Sequence, residues 1–316
     1  MTLPTDRTAP VPRRWTLHGL NSGTILTLTY HGVRLLPRPV SYALGRVGST
    51  ILAHAHPEST DALVDNLRAV FPDATDEELR RRALATYNSY TRDVVDFLRA
   101  VEHNPTEELF EYDDDATERM RRLYAGGQGV LLVGGHYGNW EAGGVLMSHL
   151  NLPLTVVAMR EKSPTVTRIR QDLRQRLGIQ TIEVRQSLDT PLQIRAALVR
   201  NRFVALLVDR HVGRDRIKVS FLGRPAFFLH TPFVMAALTG APLLVCSIDR
   251  GRVRRFRACV GPEITVSRDG DRNAAIQRAA QQVADRLSEL VRARPECWYQ
   301  FYRYWDAQAD NYTGLD

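Results

Sequence analysis

From residue 115 to residue 208 the chain alternates short apolar runs with amphipathic ones, and this rhythm constrains the fold more than any other feature. Runs at 129–134, 154–159, 181–184 and 203–208 have the length and β-branched content of strands, and those at 140–150, 165–177 and 191–200 have helical periodicity. Strand, helix, strand in succession predicts an α/β fold with a central mixed, largely parallel sheet flanked by helices. The last third continues it with a strand or hairpin at 217–221, a helix at 231–238, strands at 243–249 and 253–260, and a long amphipathic helix at 273–292. An aromatic tail, Trp298-Tyr299-Gln300-Phe301-Tyr302-Arg303-Tyr304-Trp305, is expected to close the domain.

Upstream the pattern is helical. Thr75-x-x-Glu78 is a capping box that starts a long helix reaching about residue 101, preceded by a helix that runs through Asn66-Leu67-Arg68 and ends near Phe71-Pro72. Segments 24–36 and 40–53 read as amphipathic helices joined by Pro37-Arg38-Pro39, suited to lying on a membrane or to capping the core. His18, Asn21, His31, Arg34, Arg38 and Arg46 interrupt the apolar stretch 15–55, which falls short of the roughly 18 apolar residues that mark a spanning helix. The expected division is a polar tail over 1–14, a helical N-terminal region over 15–112 and an α/β core over 113–316, the last two integrated. The tail has no apolar signal core, so export is not indicated.

Charge narrows the partners. The net charge of +7 is carried almost wholly by arginine, since Lys162 and Lys218 are the only lysines. Guanidinium groups suit phosphate, which favours an anionic membrane surface or a phosphorylated carrier, although a compositional bias would leave the same excess. The arginines are scattered without a reader motif, so nucleic acid is not an expected partner. Cys246, Cys259 and Cys297 form neither a disulfide framework nor a zinc pattern.

The chemistry concentrates in Val130-Leu131-Leu132-Val133-Gly134-Gly135-His136-Tyr137-Gly138-Asn139-Trp140-Glu141. A buried strand runs into a glycine turn, and His136 stands at the strand's carboxyl end before a helix capped by Asn139, where α/β sheets place their sites. On one continuous helix His136 and Glu141 would diverge by about 140°. Across a turn the Glu141 carboxylate can fold back to the imidazole and fix a general base for a hydroxyl or amine. A structural turn histidine and a carboxylate complementing the helix dipole would leave the same pattern.

The segment GGHYGNWE resembles the His-x-x-x-x-Glu motif of the bacterial late lipid A acyltransferases and the similar phosphatidylinositol mannoside acyltransferases of the glycerolipid acyltransferase superfamily. The resemblance runs from about residue 60 to 305 through Asn66 to Pro72, Leu173 to Gly178, Val208-Asp209, Val219 to Gly223, Leu238 to Pro242 and Pro295 to Tyr299. It implies a peripheral enzyme on the cytoplasmic face of the cell membrane that moves a long-chain acyl group to a glycolipid hydroxyl. The donor is acyl-CoA or acyl carrier protein, and no metal or other cofactor is needed. His136 is then the base and Glu141 its orienting partner. Arg174 binds donor phosphate or stabilises the oxyanion, and Asp209 supports the dyad or positions the acceptor. The chain departs from the family at Arg210, where a second aspartate is frequent, at Leu222 and at Cys297, which puts the acceptor in question. A soluble acyltransferase tailoring a small metabolite's hydroxyl or amine is the alternative.

Overall fold

The strand Val130–Gly134, β2, is buried along its whole length, as a strand covered on both faces must be. Its successive side chains point to opposite sides: Leu131 and Val133 join one apolar cluster, Val130 and Leu132 another. The computed structural model describes residues 29–30, 32–33, 35–102, 110–112, 114–159, 163–184, 188–250 and 256–306, and β2 lies near the middle of its seven-stranded sheet.

Across that sheet the order is β1 (Phe110–Tyr112), β9 (Phe256–Ile264), β8 (Leu243–Arg250), β2, β5 (Phe203–Leu207), β3 (Leu154–Ala158) and β4 (Gln180–Glu183). Every pairing is parallel except β8 with β9, so β9 and β1 run against the rest. Helices α4 (Asp114–Ala125), α5 (Trp140–His149), α6 (Pro164–Arg176), α7 (Asp189–Val199), α8 (Thr231–Thr239) and α9 (Arg272–Ala293) flank it. The α/β architecture expected from the alternation is the one observed. The run at 217–221 is half of an antiparallel hairpin, β6 (Ile217–Phe221) with β7 (Arg224–Phe228).

The N-terminal region forms α1 (Arg38–Ala55), α2 (Pro57–Arg68) and α3 (Asp76–Glu102), with Thr75 Oγ1 accepting from the Glu78 amide at 3.3 Å, one half of the expected capping box, while the Glu78 carboxylate accepts from Arg82. Most of the expected helix at 24–36 lies outside the described residues. Among the described residues no helix is long and apolar enough to cross a membrane.

The aromatic tail joins these parts. Trp298 and Tyr304 are buried in the main core, whereas Tyr299 and Phe301 pack with Leu63, Leu67, Leu79 and Tyr87 of α2 and α3. Asn66, buried on α2, explains its own presence there. Its amide donates to the Gln300 and Tyr302 carbonyls at 2.9 and 2.7 Å and accepts from the Tyr304 amide at 2.9 Å. A polar side chain inside an apolar cluster is tolerable because every hydrogen-bonding atom of it is used.

Candidate active site

Two neighbouring strands in register create the site. Gly134 of β2 pairs with Leu207 of β5, and the Val208 amide extends the ladder by donating to the Gly134 carbonyl at 2.8 Å. His136 and Asp209 each lie two residues beyond those pairing partners, so the sheet delivers them side by side. His136 Nδ1 is 2.7 Å from Asp209 Oδ1, and the His136 amide donates to Oδ2 at 2.9 Å. Gly135 allows this approach, because a Cβ there would stand 3.2 Å from Asp209 Oδ2.

The turn that follows is equally constrained. Gly138 has φ near +61°, and a Cβ would collide with the Ile248 carbonyl at 2.0 Å. The amides of Gly138 and Asn139 donate to the carbonyls of Cys297 and Ile248, and the Tyr299 amide donates to the His136 carbonyl, each at 2.8 Å. Asn139 caps α5 as expected, accepting from the Ala142 amide at 3.3 Å.

Asp209 is fully buried and its second oxygen is saturated. Besides the His136 amide, Oδ2 accepts from Gln300 Nε2 at 2.7 Å and Trp298 Nε1 at 3.3 Å. Although burial disfavours its charge, the adjacent imidazole, the donated hydrogen bonds and Arg210 hold the carboxyl below its ordinary range. An ionised Asp209 requires that Nδ1 carry the hydrogen and donate it, which leaves Nε2 as the lone-pair nitrogen. Burial and the nearby Arg210 cation outweigh Asp209 and depress the imidazole's own pKa, so at neutral pH the ring is unprotonated and its Nε2 lone pair can accept a proton.

Glu141 has a different partner from the one expected. Its Oε1 accepts from Arg174 Nη2 at 2.8 Å, with Arg170 Nε 3.8 Å away, while the carboxylate on the imidazole is Asp209. Arg174 is buried rather than solvated on its helix. The four singled-out residues are thus two coupled pairs, His136 with Asp209 and Arg174 with Glu141. His136, Glu141 and Arg174 line one cavity of about 960 Å³, within the range of ligand pockets. Much of the rest of the wall is apolar, formed by Leu132, Leu146, Leu154, Ala205 and Val260 among others, and Gly143 and Gly144 of α5 contribute no side chain to fill it.

Other aromatic, thiol and imidazole side chains fall outside this arrangement. Phe228 and Phe233 are fully buried in the core. Cys246 borders the cavity, but burial pushes its thiol up to about 12, as it does that of Cys297, so neither supplies a thiolate at neutral pH. His54 is exposed, and among the described residues no group of three His, Cys, Asp or Glu side chains is placed to hold a metal ion. Gln300, Trp298 and Arg210 belong to the site without having been singled out as site residues from the sequence.

Residues 13–307 match the family described as "Bacterial lipid A biosynthesis acyltransferase". The chain is similar to the phosphatidylinositol mannoside acyltransferase of Mycobacterium tuberculosis strain H37Rv, 26% identical over 86% of this chain and 85% of the relative. It is also similar to the protein of that name from Mycolicibacterium smegmatis, 27% identical over 87% of this chain and 88% of the relative.

Proposed function

We propose, from the premise that the chain belongs to the bacterial lipid A biosynthesis acyltransferase family, that it transfers a long-chain acyl group from acyl-CoA or acyl carrier protein to a hydroxyl of a membrane glycolipid. The chain is an O-acyltransferase. The observation that carries the mechanism is the 2.7 Å contact of His136 Nδ1, in the wall of a largely apolar cavity, with a buried carboxylate.

In this reading His136 Nε2 takes the proton of the acceptor hydroxyl as its oxygen attacks the thioester carbonyl. Asp209 stabilises the imidazolium that forms. The tetrahedral intermediate collapses with loss of the thiolate, which receives the proton back from His136 and leaves as thiol. Arg174 faces the developing oxyanion, and Glu141 acts through it by fixing the guanidinium in the cavity wall. The acyl chain occupies the apolar part of the cavity.

The acceptor is reached at a bilayer surface. Helix α1 buries Ser41 and Ser49, the latter bonded to Thr91 Oγ1 of α3 at 2.7 Å. It turns Val40, Leu44, Val47 and Ile51 outward, at 41 to 62% exposure, with Arg46 also exposed. The spacing of four, three and four places these apolar side chains on one helical face. An apolar face turned outward beside an exposed arginine fits an anionic lipid surface.

The test supplies acyl-CoA or acylated carrier with phosphatidylinositol mannosides or a lipid A precursor in vesicles and detects product by mass spectrometry. Wild-type protein forms an O-acyl product. His136→Ala loses at least about 10²-fold in rate while keeping its melting temperature. Donor without acceptor leaves no acyl group on the protein. Full activity of His136→Ala, or a stable acyl-enzyme, would remove the general-base mechanism. Transfer to small soluble alcohols but to no glycolipid would replace the acceptor.

A further inference from the structure

Arginines that line the cavity are not equivalent. Arg174 is neutralised by Glu141 at 2.8 Å. Arg210 and Arg214 line the same cavity, and among the described residues neither forms an ion pair with a carboxylate. Asp215, which stands between Arg214 and Arg216, is committed: Oδ1 accepts from the amides of His230 and Thr231 at 3.0 and 2.8 Å, and Oδ2 from Thr231 Oγ1 at 2.6 Å. These bonds anchor the turn closed by the Val212–Asp215 bridge and present Arg214 to solvent at the cavity.

Arg210 is preorganised. Its Nε donates to Gln300 Oε1 at 3.0 Å and its Nη2 to the Tyr299 carbonyl at 2.9 Å, while the guanidinium lies 5.2 Å from the centre of the Tyr302 ring. Gln300 bridges this cation to Asp209 through its other end, at 2.7 Å. These contacts hold a positive charge next to the catalytic imidazole with neutral acceptors alone. Two cations against a cavity, one rigid and one on an anchored turn, call for an anion from the occupant, and guanidinium groups match phosphate oxygens.

We propose that Arg210 and Arg214 form a phosphate-binding wall of the cavity, taking a phosphate group of one of the two substrates. The proposal rests on the reading that this cavity holds the substrates of acyl transfer. The phosphate comes either from the nucleotide and pantetheine arm of the donor or from the phosphodiester of a lipid headgroup. Both present the same oxygens to the same guanidinium groups, and binding distinguishes them.

The experiment compares two probe pairs by calorimetry: coenzyme A against pantetheine, and glycerophosphoinositol against myo-inositol. None carries an acyl group, so no turnover occurs and the result is independent of whether the protein transfers acyl chains, which the turnover test above decides separately. Wild-type protein should bind one phosphate-bearing probe at least about tenfold more tightly than its phosphate-free counterpart, the scale of one charged hydrogen bond. That pair identifies the source. The advantage should fall by about tenfold in Arg210→Gln, fall less in Arg210→Lys, and weaken with salt in the wild type. Arg214 is exposed, so Arg214→Gln keeps the fold and reads the wall even where the Arg210 variant does not fold. No phosphate preference in the wild type for either pair, or a preference undiminished in the folded variants, overturns the proposal.

Discussion

Replacing Asp209 by asparagine separates the dyad's electrostatics from its geometry, because the surrounding donors dictate how the amide must sit. The Oδ2 position receives three N–H groups, from the His136 backbone, Gln300 and Trp298. An asparagine oxygen placed there satisfies all three, and its NH2 then occupies the Oδ1 position, 2.7 Å from His136 Nδ1. The imidazole must accept at Nδ1 and carry its hydrogen on Nε2, the tautomer that cannot take a proton from the acceptor. Flipping the amide restores the basic tautomer but sets NH2 against three donors. At about 1 kcal/mol or more for each buried donor left unsatisfied, the flipped form costs at least about 3 kcal/mol and is populated below about 1%. The tautomer alone therefore lowers kcat by about 10²-fold, and loss of the charge that stabilises imidazolium extends this toward about 10⁴-fold. Steady-state transfer assays on Asp209→Asn, with melting temperatures to confirm folding, measure the loss, and Asp209→Asn/His136→Ala should be little worse than His136→Ala alone. A folded Asp209→Asn protein within tenfold of the wild-type kcat would refute the assignment of Asp209 as the imidazole's partner in the reaction.

The second pair makes a milder prediction: Arg174→Lys keeps the charge beside Glu141 but loses the planar fork, and kcat should fall by roughly tenfold with the fold intact, whereas unchanged kinetics would detach Arg174 from the oxyanion. Burial raises the Asp93 carboxyl from 3.8 to about 6 against the opposing pull of Arg250. The stability associated with its proton is complete below 3.8 and lost as pH rises through about 6, amounting to roughly 3 kcal/mol. Urea unfolding at about pH 4 and pH 7 should show that loss in the wild type and not in Asp93→Asn, and parallel profiles would contradict it. On α1, Leu44→Glu with Val47→Glu should cut sedimentation with anionic vesicles by tenfold or more, from about 1.5 kcal/mol or more per lost side-chain insertion, without lowering the melting temperature of a protein that exposes both residues. Undiminished sedimentation would move the lipid contact elsewhere.

What the sequence disclosed, and what it hid, follows the range of the interactions. The short, continuous apolar runs located the strands at 130–134 and 203–207 to within a residue or two, because a run of apolar residues bounded by turn formers is written locally. The Asn139 cap and the glycine turn were legible for the same reason: Gly138 must be glycine where a Cβ would meet the Ile248 carbonyl. The pairing of His136 with Asp209 spans 73 residues and depends on which strand adjoins β2, and periodicity does not give strand order. A signal was nevertheless present. If two parallel strands adjoin in register, residues equally far beyond their ends meet, and His136 and Asp209 occupy that relation.

The tail shows why motif reading alone mispairs a site. Glu141 is nearest to His136 in sequence, yet α5 carries it toward α6, where Arg174 engages it. The imidazole's carboxylate is held by Gln300 and Trp298, and the backbone carbonyls of Gln300 and Tyr302 are in turn bound by Asn66, more than 230 residues upstream. Asn66 fixes the backbone that carries Gln300, Gln300 saturates Asp209 and tethers Arg210, and Asp209 sets the tautomer of His136. The order of effect is testable in the geometry itself. A change at Asn66 should disturb Gln300 and then the basicity of His136, while the Glu141–Arg174 pair, built on α5 and α6, stays intact. The two pairs share a cavity but are supported by different parts of the chain, so the proposed base and the proposed oxyanion contact can be perturbed separately.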